Sequence, residues 1–89
     1  HIKDAIFYLK ASDIITIAAT EKTNETIYDL SLNKPLAIIM GSEGKGVSKS
    51  VLNIVDYKAA LPLLGEINSL NVSVACGALL YEVVRQKNL

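Results

Sequence analysis

The segment Leu36–Gly46, Leu-Ala-Ile-Ile-Met-Gly-Ser-Glu-Gly-Lys-Gly, limits the folds open to this chain more than any other part of its sequence. Five consecutive apolar residues, Leu36–Met40, predict a strand that is buried on both faces, as strands of parallel sheets are. Three glycines follow within six positions, and they predict a loop that exposes backbone N–H groups at the end of that strand. Ligands bind at such strand ends in open α/β sheets, so this segment is a candidate binding site.

The rest of the sequence predicts helices and strands in alternation around this segment. The expected elements are a helix carrying Ile2, Ala5, Ile6 and Leu9, a central strand at 14–19, a helical turn at 26–30, a helix at 49–55 capped by Ser48, a short strand at 57–61 and a helix at 71–86. This order predicts one α/β domain with a mostly parallel sheet flanked by helices. The last helix is apolar on nearly all sides until Arg85, which predicts that it is buried on every side.

The composition predicts an apolar surface that needs a partner. Of the 89 residues, 51% are hydrophobic and 20% are charged, which is more apolar material than a domain of this size can cover. A second copy of the chain is the natural partner for such a surface. Nine Lys and Arg residues balance nine Asp and Glu residues, so the overall charge neither indicates nor excludes a nucleic acid.

The cysteine usage and the hydropathy indicate a cytoplasmic protein. The single cysteine, Cys76, lies between Ala75 and Gly77 in an apolar run and is interpreted as a small core residue in a reducing compartment. The apolar runs are shorter than the roughly 18–20 residues that a membrane span requires. No membrane partner and no metal are expected.

The glycine loop fits neither of two common phosphate-binding motifs. In a Walker A loop a lysine follows the last glycine, whereas here Lys45 precedes Gly46 and Val47 follows it. The dinucleotide fingerprint Gly-x-Gly-x-x-Gly differs from the spacing Gly-x-x-Gly-x-Gly seen here, and the strand before the loop is not the first of the chain. Taken alone, the loop fits equally well a glycine-rich turn that only reverses the chain direction.

Two segments taken together resemble a known family. Residues 41–46 and residues 61–75, with the run Ser-Leu-Asn-Val-Ser-Val-Ala, resemble the last two sequence motifs of the SpoU/TrmH group of SPOUT RNA 2′-O-ribose methyltransferases. Within that group the sequence is most similar to the bacterial 23S rRNA guanosine-2′-O-methyltransferases, whose terminal Arg-Gln matches Arg85-Gln86. The resemblance covers residues 1–89 as the C-terminal part of the catalytic domain.

The resemblance implies a SPOUT fold that binds S-adenosylmethionine. Its C-terminal helix would be threaded through a loop in a trefoil knot, with the cofactor bent in the knotted crevice. The residues that it implies for cofactor binding are Met40, Gly41, Ser42, Leu61, Leu63 and Leu70. Apolar side chains and free backbone groups are what the adenine and methionine parts of this cofactor require.

The resemblance also implies catalytic roles for Glu43, Ser69 and Asn71, which would face the ribose and phosphate of the substrate. Each has a structural alternative: Ser69 as the cap of the last helix, Asn71 as a partner of the crossing backbone, and Glu43 as a solvated loop charge. Lys45 and Lys49 fit either contacts with phosphates or an ordinary surface.

The implied activity is methylation of a ribose 2′-hydroxyl in RNA by a homodimer, with rRNA favoured over tRNA. The family takes its catalytic arginine from an earlier motif of the form Asn-x-Gly/Ala-x-x-Arg, and the single arginine here, Arg85, cannot match it. The expectation is that this motif precedes His1 in a longer protein and that the 89 residues alone bind cofactor without turnover. The alternatives are a non-catalytic SPOUT-like remnant for dimerisation or RNA binding, and a generic nucleotide-binding α/β module.

Overall fold

A computed structural model describes residues 1–42, 45–61 and 72–89, with side chains in the last range from Ala75 onward. The elements, in chain order, are α1 (Ile2–Ala11), β1 (Ile15–Ala19), a 3-10 turn (Ile27–Asp29), β2 (Leu36–Ile39), α2 (Lys49–Leu52), β3 (Tyr57–Ala59) and α3 (Val72–Lys87). Each predicted helix and strand is present, with shifts of a few residues at the ends.

The three strands form a parallel sheet in the order β2-β1-β3. Ile17 of β1 lies opposite Ile38 of β2 on one side and Tyr57 of β3 on the other. The central position of β1 agrees with its β-branched residues, which are apolar on both faces. The prediction of a parallel sheet flanked by helices is therefore confirmed.

Helices cover both faces of the sheet. Successive residues of a strand point to opposite faces, so Ile17 and Ala18 of β1 belong to different clusters. On one face, Ile17 packs with Leu79 and Val83 of α3 and with Ile27 of the 3-10 turn. On the other face, Ala18 packs in a second cluster with Ile6 of α1 and with Val51 and Leu52 of α2.

The direction of α3 follows from contacts at its carboxyl end. Leu32 N donates to Gln86 Oε1 at 2.8 Å, and Lys87 Nζ donates to the carbonyl oxygen of Lys34 at 3.2 Å. Leu32 and Lys34 precede β2, so this end of α3 lies at the edge where the strands begin. The 16 residues of α3 span roughly 24 Å, more than the roughly 17 Å of a five-residue strand. Its amino end therefore points towards the edge where the strands end.

The prediction that α3 is buried on every side is wrong. Leu80, Tyr81 and Val84 are 49%, 78% and 53% exposed. The reason is that α3 packs on the sheet with one face, through Leu79 and Val83, while these three side chains lie on its outer face. The apolar residues of α3 therefore form part of the core on one face of the helix and an exposed surface on the other.

Helix α2 ends at Leu52, earlier than the predicted residue 55. Ser48 caps it as expected, because its Oγ accepts a hydrogen bond from Val51 N at 3.3 Å. The chain then leaves the helix because Asp56 N donates to Thr16 O and to Thr16 Oγ1, both at 3.1 Å, which draws the chain into β3.

The membrane search and the predicted knot both depend on which residues the structure describes. None of the helices in the described ranges has the length and hydropathy to cross a membrane. The trefoil knot depends on the path of residues 62–71, which lie outside the described residues, so the knot stays a prediction.

Candidate functional site

Four of the predicted cofactor-binding residues lie at one edge of the sheet. Met40, Gly41 and Ser42 follow the last residue of β2, and Leu61 follows β3. The carboxyl ends of these strands lie at the same edge, because the strands are parallel. The other predicted site residues fall outside the described part of the chain: Glu43, Leu63, Ser69, Leu70 and Asn71.

The glycine loop closes on itself directly after β2. Gly46 N donates to the carbonyl oxygen of Ser42 at 2.9 Å, and Gly46 has a φ of +70°, which favours glycine. A Cβ on Gly41 would lie 2.5 Å from Gly46 Cα and would overlap the carbonyl carbon of Gly46 and the nitrogen of Val47. Gly41 is therefore needed for the closure of the loop itself, a role that the sequence pattern did not indicate.

Met40 and Leu61 provide half-buried apolar side chains at this edge. Both pack against the cluster that contains Ile17. Ala19 pairs with Ala59 in the adjoining strands. Their small side chains belong to the same face as Met40 and Leu61, since Met40 follows the Ala18–Ile39 pair and Leu61 follows Ala59 by two residues. The edge thus has an apolar floor between two larger side chains.

A strap formed by residues 25–32 holds the chain immediately before Leu61. Ala60 N donates to Glu25 O at 2.8 Å, and Ile27 N donates to Ala60 O at 2.9 Å, so Thr26 pairs with Ala60 as in a parallel sheet. The Asp29 carboxylate accepts hydrogen bonds from Thr26 N and Thr26 Oγ1, both at 3.1 Å, and fixes the 3-10 turn. Sequence reasoning predicted the helical turn but not this pairing.

The chain's single arginine lies away from the candidate site. The Glu82 side chain is only 4% exposed and accepts from Arg85 Nε at 2.7 Å and from Arg85 Nη2 at 2.9 Å. These bonds, followed by one from Gln86, lower the pKa of Glu82 to about 2, and the same pair raises the pKa of Arg85. The group stands at the carboxyl end of α3, where the strands begin.

Both lysines near the glycine loop are exposed. Lys45 lies within the loop, and Lys49 is the first residue of α2. Their exposure agrees with a phosphate contact and equally with an ordinary surface, so the two readings stay open. Among residues 1–42, 45–61 and 72–89, no three His, Cys, Asp or Glu side chains are grouped as a metal site would require.

A cleft of about 360 Å³ opens at the opposite edge, lined by Lys10, Asp13, Ile14, Ile15, Asp56 and Tyr57. Lys10 Nζ donates to the carbonyl oxygen of Ile54 at 2.7 Å and lies 3.9 Å from Asp56 Oδ1. Asp56 Oδ2 accepts from Thr16 N at 2.8 Å and from Thr16 Oγ1 at 3.0 Å. These groups bind one another, and they attach α1 to the sheet.

A family comparison matches nearly the whole chain. Residues 1–81 match the model of the SpoU rRNA Methylase family. A 23S rRNA (guanosine-2′-O-)-methyltransferase of Haemophilus influenzae is 40% identical over 75 residues, which make up 84% of this chain and 30% of that relative. The chain therefore spans less than a third of the length of such curated relatives.

Solved structures agree with the family match. A crystal structure of an RNA 2′-O ribose methyltransferase superposes with a TM-score of 0.88 and 30% identity, covering 98% of this chain and 34% of that chain. The SpoU methyltransferase AviRb from Streptomyces viridochromogenes, in complex with the cofactor AdoMet, gives a TM-score of 0.82 at 28% identity, over 97% of this chain and 35% of that chain. The resemblance predicted from the two motifs is confirmed, and the chain belongs to the SpoU rRNA methylase family.

Proposed function

We propose that this chain is the cofactor-binding part of an RNA 2′-O-ribose methyltransferase that uses S-adenosylmethionine. One observation carries the proposal: in a SpoU-family chain, the glycine loop, Leu61 and the amino end of α3 converge on the carboxyl edge of a parallel sheet. This edge is where ligands bind in open α/β sheets. The complex of AviRb with AdoMet supports the choice of cofactor.

The described residues at this edge fit S-adenosylmethionine. Met40 and Leu61 are half-buried apolar side chains suited to the adenine ring and the methionine chain, and Gly41 carries no side chain to obstruct them. We assign Ser42 and, in the segment after β3, Leu63 and Leu70 to the same binding set. When bound, the cofactor supplies an electrophilic methyl group.

We assign Glu43, Ser69 and Asn71 to the reacting side of the site. Ser69 and Asn71 come just before α3, whose amino end points to the carboxyl edge, and Glu43 belongs to the glycine loop. The amide of Asn71 both donates and accepts, as a contact with a ribose hydroxyl requires. These residues would hold the ribose with its 2′-oxygen towards the methyl group.

The proposed substrate is rRNA, with a guanosine of 23S rRNA as the modified nucleotide and tRNA as the alternative. The relative at 40% identity, which is named for that reaction, supports this choice. Lys45, exposed in the glycine loop, is available for a backbone phosphate. An rRNA substrate agrees with a cytoplasmic location.

We further propose that the 89 residues alone do not turn over. A ribose hydroxyl needs a base or a nearby cation to become a nucleophile near neutral pH. Arg85 is bound in a two-point contact with Glu82 at the opposite edge of the sheet. The same observation favours the second candidate function, a non-catalytic module for RNA binding or dimerisation.

A second copy of the chain is the proposed partner of the outer face of α3. Leu80, Tyr81 and Val84 are exposed there. Contiguous apolar side chains at a surface are typical of a protein–protein contact. Sedimentation of the wild-type chain should show a dimer, and a monomer at high concentration would contradict this assignment.

Calorimetry with S-adenosylmethionine, ATP and NAD tests the cofactor. The wild type should bind S-adenosylmethionine in preference to the other two, and Leu61→Ala should weaken this binding by about tenfold through loss of an apolar wall. Leu89→Ala is the matched control, because it removes the same type of side chain from a position that is 89% exposed. Tight ATP binding without S-adenosylmethionine binding would refute the proposal.

Methyl transfer is tested with a fragment of 23S rRNA and radiolabelled cofactor. The 89-residue chain should bind cofactor and form no product, because Arg85 is at the wrong edge of the sheet. Product formed by this chain alone would overturn the proposed lack of turnover and exclude the non-catalytic alternative.

A further inference from the structure

The side chain of Gln86 connects α3 to the strap through both atoms of its amide. Gln86 Nε2 donates to Leu30 O at 3.0 Å, and Gln86 Oε1 accepts from Leu32 N at 2.8 Å. The amide thus pairs with the backbone on either side of Ser31 as a neighbouring strand would. These bonds join residues that are 56 and 54 positions apart in the sequence.

Glu82 holds the Gln86 amide in the orientation that this pairing requires. Gln86 Nε2 donates its second hydrogen to Glu82 Oε2 at 2.9 Å. In the flipped orientation the amide oxygen would face both this carboxylate and Leu30 O, three acceptors without a proton between them. Arg85 binds the same carboxylate in turn, so Glu82 stays ionised and in place.

The strap carries the effect of this contact to the candidate site. At one end Gln86 holds Leu30 and Leu32, and at the other end Glu25 and Ile27 pair with Ala60, the neighbour of Leu61. Ile27 and Leu32, one at each attachment, are fully buried. A short segment that is fixed at both ends by hydrogen bonds and by buried side chains transmits a shift at one end to the other.

We propose that Gln86 is a positioning residue for the cofactor site, because it fixes the strap that sets the place of Ala60 and Leu61. This inference rests on the proposed function, in which Leu61 contacts S-adenosylmethionine. Gln86 itself lies at the edge where the strands begin, opposite the edge that carries Gly41 and Leu61.

The test compares two variants with a matched control. Gln86→Met keeps the size of the side chain and removes its hydrogen bonds, and Gln86→Glu keeps the shape but places a second carboxylate beside Glu82. Asn88→Ala is the control. Asn88 Nδ2 donates to Val84 O of α3 at 2.8 Å, so this substitution removes an amide from the same end of the helix without touching the strap.

Two readouts separate positioning from stability. In two-dimensional amide NMR, both Gln86 variants should shift the resonances of Ala60 and Leu61, while Asn88→Ala should leave them in place. At a temperature where each variant is folded by circular dichroism, the Kd for S-adenosylmethionine should rise about tenfold in the Gln86 variants. A purely stabilising role would lower the Tm and leave the Kd of the folded molecules unchanged.

The two readouts distinguish a failure of this inference from a failure of the proposed function. Unshifted Ala60 and Leu61 resonances, or shifted resonances with an unchanged Kd, would overturn the inference. A wild-type chain that binds no S-adenosylmethionine would instead refute the proposed function, and the amide resonances would still decide whether Gln86 positions Leu61. Should one Gln86 variant fail to fold, the other provides the same two measurements.

Discussion

Replacing Gly41 by alanine is the sharpest test of the site loop, because the three atoms nearest to the added Cβ belong to the backbone. It would overlap the carbonyl carbon of Gly46 and the nitrogen of Val47, and it would lie 2.5 Å from Gly46 Cα. Backbone atoms cannot rotate away, so the turn between Ser42 and Gly46 has to open. Overpacking that moves the backbone costs about 1–3 kcal/mol, and we expect Gly41→Ala in the upper half of that range.

Alanine at two other glycines should change the free energy of unfolding by different amounts, for different reasons. No described residue lies within 4 Å of a Cβ added to Gly46, but the φ of Gly46 is +70°, so Gly46→Ala should cost about 1–2 kcal/mol through the left-handed conformation. A Cβ added to Gly77 also meets no described residue, and Gly77 lies within α3, so Gly77→Ala should stabilise the fold by about 0.5–1 kcal/mol, the difference in helix propensity.

Urea unfolding followed by circular dichroism measures the three free energies of unfolding. The expected order of stability is Gly77→Ala above wild type, then Gly46→Ala, then Gly41→Ala, with equal denaturant slopes. Calorimetry on the same proteins should show that S-adenosylmethionine binding is lost in Gly41→Ala and kept in Gly77→Ala. A Gly41→Ala protein as stable as the wild type would refute the described closure of the loop.

Three further substitutions test the core, a helix cap and the buried carboxylate. Leu79→Ala empties a site that is 1% exposed, and it should lower the free energy of unfolding by about 2–5 kcal/mol in urea. Ser48→Ala removes the cap of α2 and should cost about 0.5–2 kcal/mol, whereas Ser48→Thr, a control that keeps the hydroxyl, should change the stability less. The pKa of Glu82 is about 2 instead of 4.5, so its ionised form stabilises the fold fully above pH 4.5 and progressively less as the pH falls to 2. The urea midpoint of the wild type should therefore fall across this window, and Glu82→Gln should make that fall smaller.

Local signals in the sequence predicted the elements well. The helical spacing of Ile2, Ile6 and Leu9 predicted α1, and the run Leu36–Met40 predicted β2. Ser48 was recognised as a cap because a hydroxyl before a helix bonds to a backbone N–H three residues on. Each of these features depends on residues within one or two turns of one another, and sequence patterns report such distances reliably.

Contacts between distant segments left no comparable signal. Asp56 binds Thr16 at a separation of 40 residues, and Gln86 binds Leu30 at a separation of 56. A hydroxyl, a carboxylate or an amide gives the same signal in the sequence whether its side chain faces water or binds a distant backbone group. The pairing of the strap with Ala60 was missed for the same reason.

The exposed face of α3 shows a different limit. Apolar residues on all sides of a helix predict burial, yet the pattern does not tell a protein core from a surface that another molecule covers. Leu79 and Val83 pack on the sheet, while Tyr81 and Val84 of the same helix are exposed. The prediction was correct for the face that packs on the sheet and wrong for the outer face, which is exposed in this chain.

Helix α3 keeps its arginine at one edge of the sheet and its amino end at the other. Arg85 and Val72 are thirteen residues apart in one straight helix, or roughly 20 Å along its axis. The arginine lies where the strands begin and is paired with Glu82, whereas the glycine loop and Leu61 lie where the strands end. Coulomb attraction over that distance is screened in water with salt, whose Debye length is about 8–10 Å. Arg85 can thus support the proposed site through Glu82, Gln86 and the strap, and in the proposed reaction a cation that activates the ribose hydroxyl would have to come from another group.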